Sequence, residues 1–253
     1  NNIERIEVVK GAAAATLYGT QGSSGVIQIF TKRGSSGAPQ WNFRIDQGFE
    51  RVPTDTFPGR LFTQFEGPNG FQAHDPKETV QNGHNHSYYA SVRGGSADVR
   101  YFISANYDSR TGSIAPDVNW RDKFNTRANV DTDISETLGL NVRSGFVWSN
   151  LRVPSNNNAL HGTYSQYASA VPYTATEDRV YGERFGSFTW NQELENRQKV
   201  FRNTTGITLE HLASDAFSQN LTVGIDWFTE ESTKYFPYRY PGSGHRDGDK
   251  TNH

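Results

Sequence analysis

The sequence predicts an all-β fold: part of a transmembrane antiparallel β-barrel, with about seven strands in view. Three observations lead there. Apolar residues recur at every second position over runs of roughly ten residues, the period of a strand with one apolar and one polar face. Connections between these runs alternate between short and long, as in outer-membrane barrels. Large aromatics fall toward strand ends on the parity of the apolar face, the layout of an aromatic girdle.

The elements follow in order. Ile3–Val9 is a strand-like run. In 40–50, Trp41, Phe43 and Ile45 share a face opposite Asn42, Arg44 and Asp46. Tyr88, Ala90 and Val92 alternate with Ser87, Tyr89, Ser91 and Arg93. Val99, Tyr101, Ile103, Ala105 and Tyr107 oppose Asp98, Arg100, Ser104, Asn106 and Asp108. Phe124, Thr126, Ala128, Val130 and Ile134 make the next strand, and Leu138, Leu140, Val142, Phe146 and Trp148 the one after. A less regular sixth runs through Phe201, Thr205, Ile207 and Leu209. The seventh carries Leu221, Val223, Ile225 and Trp227. The polar faces hold full charges, Arg44, Arg100, Arg127, Asp131 and Arg143 among them, as a water-filled lumen allows.

Short connections are expected at 94–96, 135–137 and 212–216, and long ones at 51–86, 109–119 and 150–199. With that polarity Tyr107, Trp120, Trp148 and Trp227 lie at long-loop strand ends and Trp41 at the other end. These five are the expected membrane-interface aromatics.

Composition narrows the function. At 253 residues the chain makes one large domain or two small ones. Its 25 Lys and Arg stand against 27 Asp and Glu, with no basic stripe, so no nucleic-acid partner is expected. The absence of cysteine excludes disulfides and thiolate metal sites. No run of about 18 apolar residues offers a helical span. Aromatics at 13% alongside a mean hydropathy of −0.74 suit alternating strands joined by large polar loops.

The stretch VVKGAAAATLYGTQGSSGVIQIFTKRG, from Val8 to Gly34, needs separate treatment. It contains neither GxGxxG nor GxxxxGK[ST], so it is not a phosphate loop. Its apolar flanks and helix-favouring 12–18 core do not suit a linker. It reads as strand, short helix, glycine turn at Gly19, Gly22 and Gly25, then strand, with small residues permitting close backbone approach.

The whole of IERIEVVKGAAAATLYGTQGSSGVIQIFTKRG resembles the C-terminal end of the plug domain of TonB-dependent outer-membrane receptors, in the wording of the SusC/RagA-like branch. YFISANYDSRTG and FNTRANVDTDISETLGLNVRSGF resemble early barrel strands of that branch. The resemblance implies 1–36 as the C-terminal part of a small α+β plug and 37–253 as the N-terminal part of the barrel. An odd, open set of strands leaves unpaired edges that hydrocarbon does not tolerate, so an internal segment of a larger protein is expected.

The implied activity is TonB-dependent import of an oligosaccharide or peptide across the bacterial outer membrane, without enzymatic chemistry and without a cofactor. The implied partners are a TonB-type energy-coupling protein, outer-membrane lipid, a SusD-like surface lipoprotein, and a small-molecule, glycan or peptide substrate. Two alternatives stand beside it: a siderophore or cobalamin receptor of the same architecture, and a non-transporting barrel used in adhesion or surface assembly.

Candidate sites follow. Glu4, Arg5, Glu7 and Lys10 are gating candidates, expected to pair with lumen charges such as Arg100 or Asp131. Tyr164, Tyr167, Trp190, Tyr235 and Tyr238 are substrate-binding candidates, since Tyr and Trp offer flat apolar faces with a polar handle. His84 and His86, with His74 and Asp75 near in sequence, form a weak metal half-site, and no full ligand pattern supports a metal. No catalytic residue is assigned. Asp226 and Glu230, four residues apart on one strand, stand roughly 13 Å apart, too far for a glycosidase pair. Glu193 and Glu195 are expected in a loop with nothing to position them, and no Gly-x-Ser-x-Gly elbow occurs.

Overall fold

The computed structural model describes residues 2–53, 68–70, 78, 80–114, 117–154, 162, 171–177, 179–182, 193–236 and 250–252. Strand β1 (Ile3–Val9) leads into helix α1 (Gly11–Tyr18), a 3-10 turn over Gly19–Gly22, and strand β2 (Val26–Thr31). β1 and β2 pair antiparallel as a two-stranded sheet. The wall follows: β3 (Gly37–Glu50), β4 (Gly83–Gly95), β5 (Val99–Thr111), β6 (Trp120–Ser135), β7 (Leu138–Val153), β8 (Glu195–Ser214), β9 (Phe217–Tyr235) and the short β10 (Lys250–Asn252). They form one antiparallel meander in sequence order, open at both edges among the described residues. The all-β, partial-barrel prediction is borne out, with seven long strands and one three-residue addition.

Register is the informative feature. Trp41 stands opposite Val92, Val92 opposite Ile103, and Ile103 opposite Ala128. Further along, Val142 faces Ile207 and Ile207 faces Val223. The apolar parity of every long strand therefore falls on the same face, and a slip of one residue anywhere would have broken it. That face is open to the surroundings: Trp41 is 65% exposed, Val223 64% and Trp227 58%. Along β9 the face from Phe217 to Trp227, apolar but for Gln219, covers about 33 Å at strand rise. Tilted as barrel strands are, it matches the roughly 25 Å lipid-facing band of an outer-membrane barrel.

The opposite face is polar, yet glycines apart it contains every buried residue of the long strands: Tyr89, Ser91, Phe102, Ser104, Asn129 and Asp131. Short turns close the hairpins by local chemistry. The Ser96 hydroxyl accepts from the amides of Asp98 and Val99, and Gly95, at φ +149, leaves no room for a Cβ against the Val99 carbonyl.

The strands run longer than expected. β4 begins at Gly83, so His84 and His86 are strand residues; β7 continues to Val153, and β8 already starts at Glu195. Backbone pairing continues past the apolar zone because the ladder is indifferent to side-chain polarity. For the same reason Tyr107, Trp148 and Trp227 sit inside their strands rather than at the ends, and only Trp120 is terminal. Tyr88, Tyr107, Phe124, Trp148 and Phe201 nevertheless form a continuous cross-strand row over five strands. Trp227 packs edge-on against Phe201 at 5.0 Å, while Trp41 stacks on Phe43 near the short-turn end.

Candidate functional site: the N-terminal segment on the polar face

The polar face carries a lattice of ion pairs. Arg44 pairs with Asp46 at 2.8 Å, Arg100 with Asp133 at 3.0 Å, and Arg202 with Asp226 at 2.5 Å. Arg143 pairs with the buried Asp131 and also donates to the carbonyls of Val130 and Val142. Asn141 donates to Glu210 at 2.9 Å. These contacts link neighbouring positions of one wall.

The N-terminal segment rests on this lattice. The fully buried Asn129 donates through Nδ2 to the Lys32 carbonyl at 2.6 Å and to the Thr31 hydroxyl at 3.2 Å. Tyr89 donates to the Asn2 side chain at 3.1 Å, while the Lys32 amide reaches the Asn2 carbonyl at 2.9 Å. Gly34 lies so close to β5 that a Cβ there would fall 2.2 Å from the Tyr101 nitrogen, which only glycine permits. Both ends of the β1–β2 unit are thus held against one wall, on the face where Phe102 is 2% exposed.

Within the segment, the small residues meet a steric need. Ala14 is buried, and a Cβ on Gly22 would sit 2.6 Å from its carbonyl oxygen. Gly19 and Gly25, at φ +71 and +103, turn the chain on either side of it. Gln28 bonds to the Tyr18 hydroxyl, tying β2 to the end of the helix.

Of the gating candidates, Arg5 and Glu7 take different partners from those expected. Arg5 pairs with Glu7 at 2.7 Å, and its guanidinium lies 3.8 Å from the ring centre of Phe30, its cross-strand neighbour. Arg100 and Asp131, the expected partners, are engaged with Asp133 and Arg143. The reason is local geometry: residues i and i+2 share a strand face and meet at no cost in chain closure.

His84 and His86 do point to one side, with ring centres 6.3 Å apart, and His86 bonds to Gln47. Both lie on the face of Tyr88 and Phe49, and among the described residues no third ligand joins them. Glu195 opens β8, where Arg197 is its partner at 3.7 Å, rather than lying in a loop. Of the loop aromatics, Tyr235 closes β9; Tyr164, Tyr167, Trp190 and Tyr238 lie outside the described residues, as do His74 and Asp75. Asn129, Tyr89 and Gly34 escaped the sequence reading. Gly34 left a trace as the last residue of the conspicuous N-terminal stretch, and Tyr89 as a polar-face position of its strand.

A sheet apolar on one face and charged on the other, with a small mixed unit seated on the charged face, is the wall of a partial barrel. No family model matches the chain. It is 29% identical over 158 residues to TonB-dependent receptor P3 of Formosa agariphila, covering 57% of this chain and 15% of that protein. It is 26% identical over 195 residues to TonB-dependent receptor SusC of Bacteroides thetaiotaomicron, covering 69% of this chain and 19% of SusC. Its fold superposes along its whole length on 34% of a chain of the RagAB peptide importer in the open-open state, with a TM-score of 0.73 at 14% identity. The resemblance to SusC/RagA-like TonB-dependent receptors read from residues 3–34 holds in both sequence and fold. The chain spans about a fifth of the length of the curated relatives it matches.

Proposed function

We propose that this chain is the junction of plug and wall in a TonB-dependent importer of the bacterial outer membrane, moving a nutrient rather than transforming it. Residues 1–36 are the end of the plug and 37–253 the first part of the barrel. The observation that carries this reading is the seating of residues 2–34 on the charged face through Asn129, Tyr89 and Gly34. An isolated pore would have no use for such a stopper, and an adhesin would not need a charged lumen beneath it.

In this reading long loops face outward and short turns face the periplasm. Cargo, an oligosaccharide or a peptide, enters from the long-loop side, where Tyr164, Tyr167, Trp190, Tyr235 and Tyr238 offer stacking surfaces. An energy-coupling protein of the TonB type pulls on the plug, and a SusD-like lipoprotein covers the mouth. The RagAB neighbour, a peptide importer, supports the peptide alternative. Glu4, Arg5, Glu7 and Lys10 act in gating through the Arg5–Glu7 pair rather than through wall charges, and Trp41, Tyr107, Trp120, Trp148 and Trp227 mark the membrane interfaces.

The test is uptake by cells expressing the complete receptor, measured with and without a protonophore. Loss of uptake with retained surface binding supports energised import. Surface binding with no uptake under either condition returns the protein to an adhesive role.

A further inference from the structure

Strand β6 carries a graded column of side chains on the polar face. From the long-loop end to the short-turn end it reads Arg121, Lys123, Asn125, Arg127, Asn129, Asp131, Asp133. The lower carboxylates are neutralised by Arg143 and Arg100. Among the described residues the upper cations Arg121, Lys123 and Arg127 have no ion-pair partner.

The surroundings sharpen the asymmetry. Arg110 stands directly opposite Arg121, a like-charge pairing that costs stability unless an anion offsets it. Asp108 stands opposite Lys123 without pairing to it, and accepts instead from Asn106 at 2.5 Å. A cavity of about 220 Å³ opens beside them between β3, β4, β5 and β6. On its lining, Arg121 Nε and Asn85 Oδ1 are buried without a hydrogen-bond partner. Lower down, Arg127 reaches across β7 where Gly145 presents no side chain, its Nη2 3.3 Å from where a Cβ would be.

Alternate strand positions are roughly 7 Å apart, so the three cations span about 20 Å and end one position above Asn129, where the plug is held. Asn106, Asn125 and Ser149 border the column, offering amides and a hydroxyl beside the charges.

We infer that the upper β6 face is a binding track for a linear anionic oligosaccharide bearing sulfate or carboxylate groups, guiding it from the long-loop mouth to the plug. The inference rests on the importer reading and names the cargo class. Arg and Lys supply the oxyanion contacts, and the bordering amides and hydroxyl suit a polyhydroxylated chain better than the apolar pockets a peptide's side chains need.

The test is calorimetric binding to the purified, complete receptor in detergent, without energisation. The probes are a dextran sulfate oligosaccharide, an oligogalacturonate, unsulfated dextran of equal length, and an oligoglutamate of matched charge. At least one anionic glycan should bind tenfold or more tightly than dextran and more tightly than oligoglutamate, and raising the salt should weaken it. The R121Q/K123Q/R127Q variant should lose that preference, and K123Q alone should weaken it about threefold while keeping the wild-type melting temperature. Equal binding of dextran, tighter binding of oligoglutamate, or an unchanged preference in K123Q overturns the inference. Because this binding needs no coupling protein, energised uptake of a neutral cargo would leave the importer reading standing while this one fell.

Discussion

The side-chain amide of Asn129 and the backbone carbonyl of Lys32, 2.6 Å apart, join the chain leaving the β1–β2 unit to the polar face of β6. Asn129 has no exposed surface, so the Lys32 carbonyl would lose a buried donor if the amide were removed. Asn129→Leu should weaken the seating by about 1–3 kcal/mol. Greater ion leak in planar bilayers and faster tryptic cleavage after Lys32 or Arg33 are the expected readouts. Wild-type leak in a correctly folded variant would mean that the seat lies elsewhere.

The Asp131–Arg143 pair behaves as a buried one on its acidic side. Removing the carboxylate in Asp131→Ala strands a partly buried guanidinium and should cost on the order of 3 kcal/mol. The double variant D131L/R143M should recover much of that loss, because replacing both partners by apolar groups leaves no orphan charge. Melting of the detergent-extracted receptor measures both, and a double variant no better than D131A would contradict the account.

Adjacent residues on β9 should respond in opposite ways to one change. Val223 lies on the apolar face and Thr222 on the charged face, paired with Thr208 at 3.0 Å. Val223→Arg should cost about 2–4 kcal/mol and reduce assembly into the outer membrane. Thr222→Arg should assemble normally. Surface protease protection in whole cells distinguishes the two, and equal assembly would mean that the faces have been assigned wrongly.

Gly22 tests the internal packing of the N-terminal unit. A Cβ there would approach the Ala14 carbonyl to 2.6 Å, backbone that cannot swing aside. Gly22→Ala should destabilise that unit by about 1–3 kcal/mol, read as faster amide exchange over 12–28. Unchanged exchange would show that the helix and turn separate at little cost.

For the aromatic band, brominated lipids give a direct measure. Trp41 and Trp148 should be quenched more by bromine near the headgroup than by bromine deep in the acyl chain, in variants keeping one tryptophan each. Stronger quenching from deep positions would remove both from the interface.

The alternation that located β3 to β9 was readable from residues such as Leu221, Val223, Ile225 and Trp227, because a pleated backbone forces period two on any sheet with one greasy side. The strand ends were not. Asn196, Arg197, Gln198 and Lys199 fell within the expected 150–199 loop, yet they pair as strand because the ladder needs only backbone. Gly19 and Gly25 were legible as tight-turn residues. Arg5 was misread, since distant lumen charges were weighed ahead of Glu7, two residues away.

The alternating faces of the strands belong to local pattern, and one-dimensional periodicity carries them; the meander order of the strands is a product of the fold. The partners of Arg5, the burial of Phe102 and the hold of Asn129 on Lys32 belong to tertiary structure. Asn129 and Asn125 occupy the same parity of the same strand and differ in nothing a sequence records. Which of them becomes buried depends on where a segment nearly a hundred residues earlier comes to rest, and that is settled by packing across the wall.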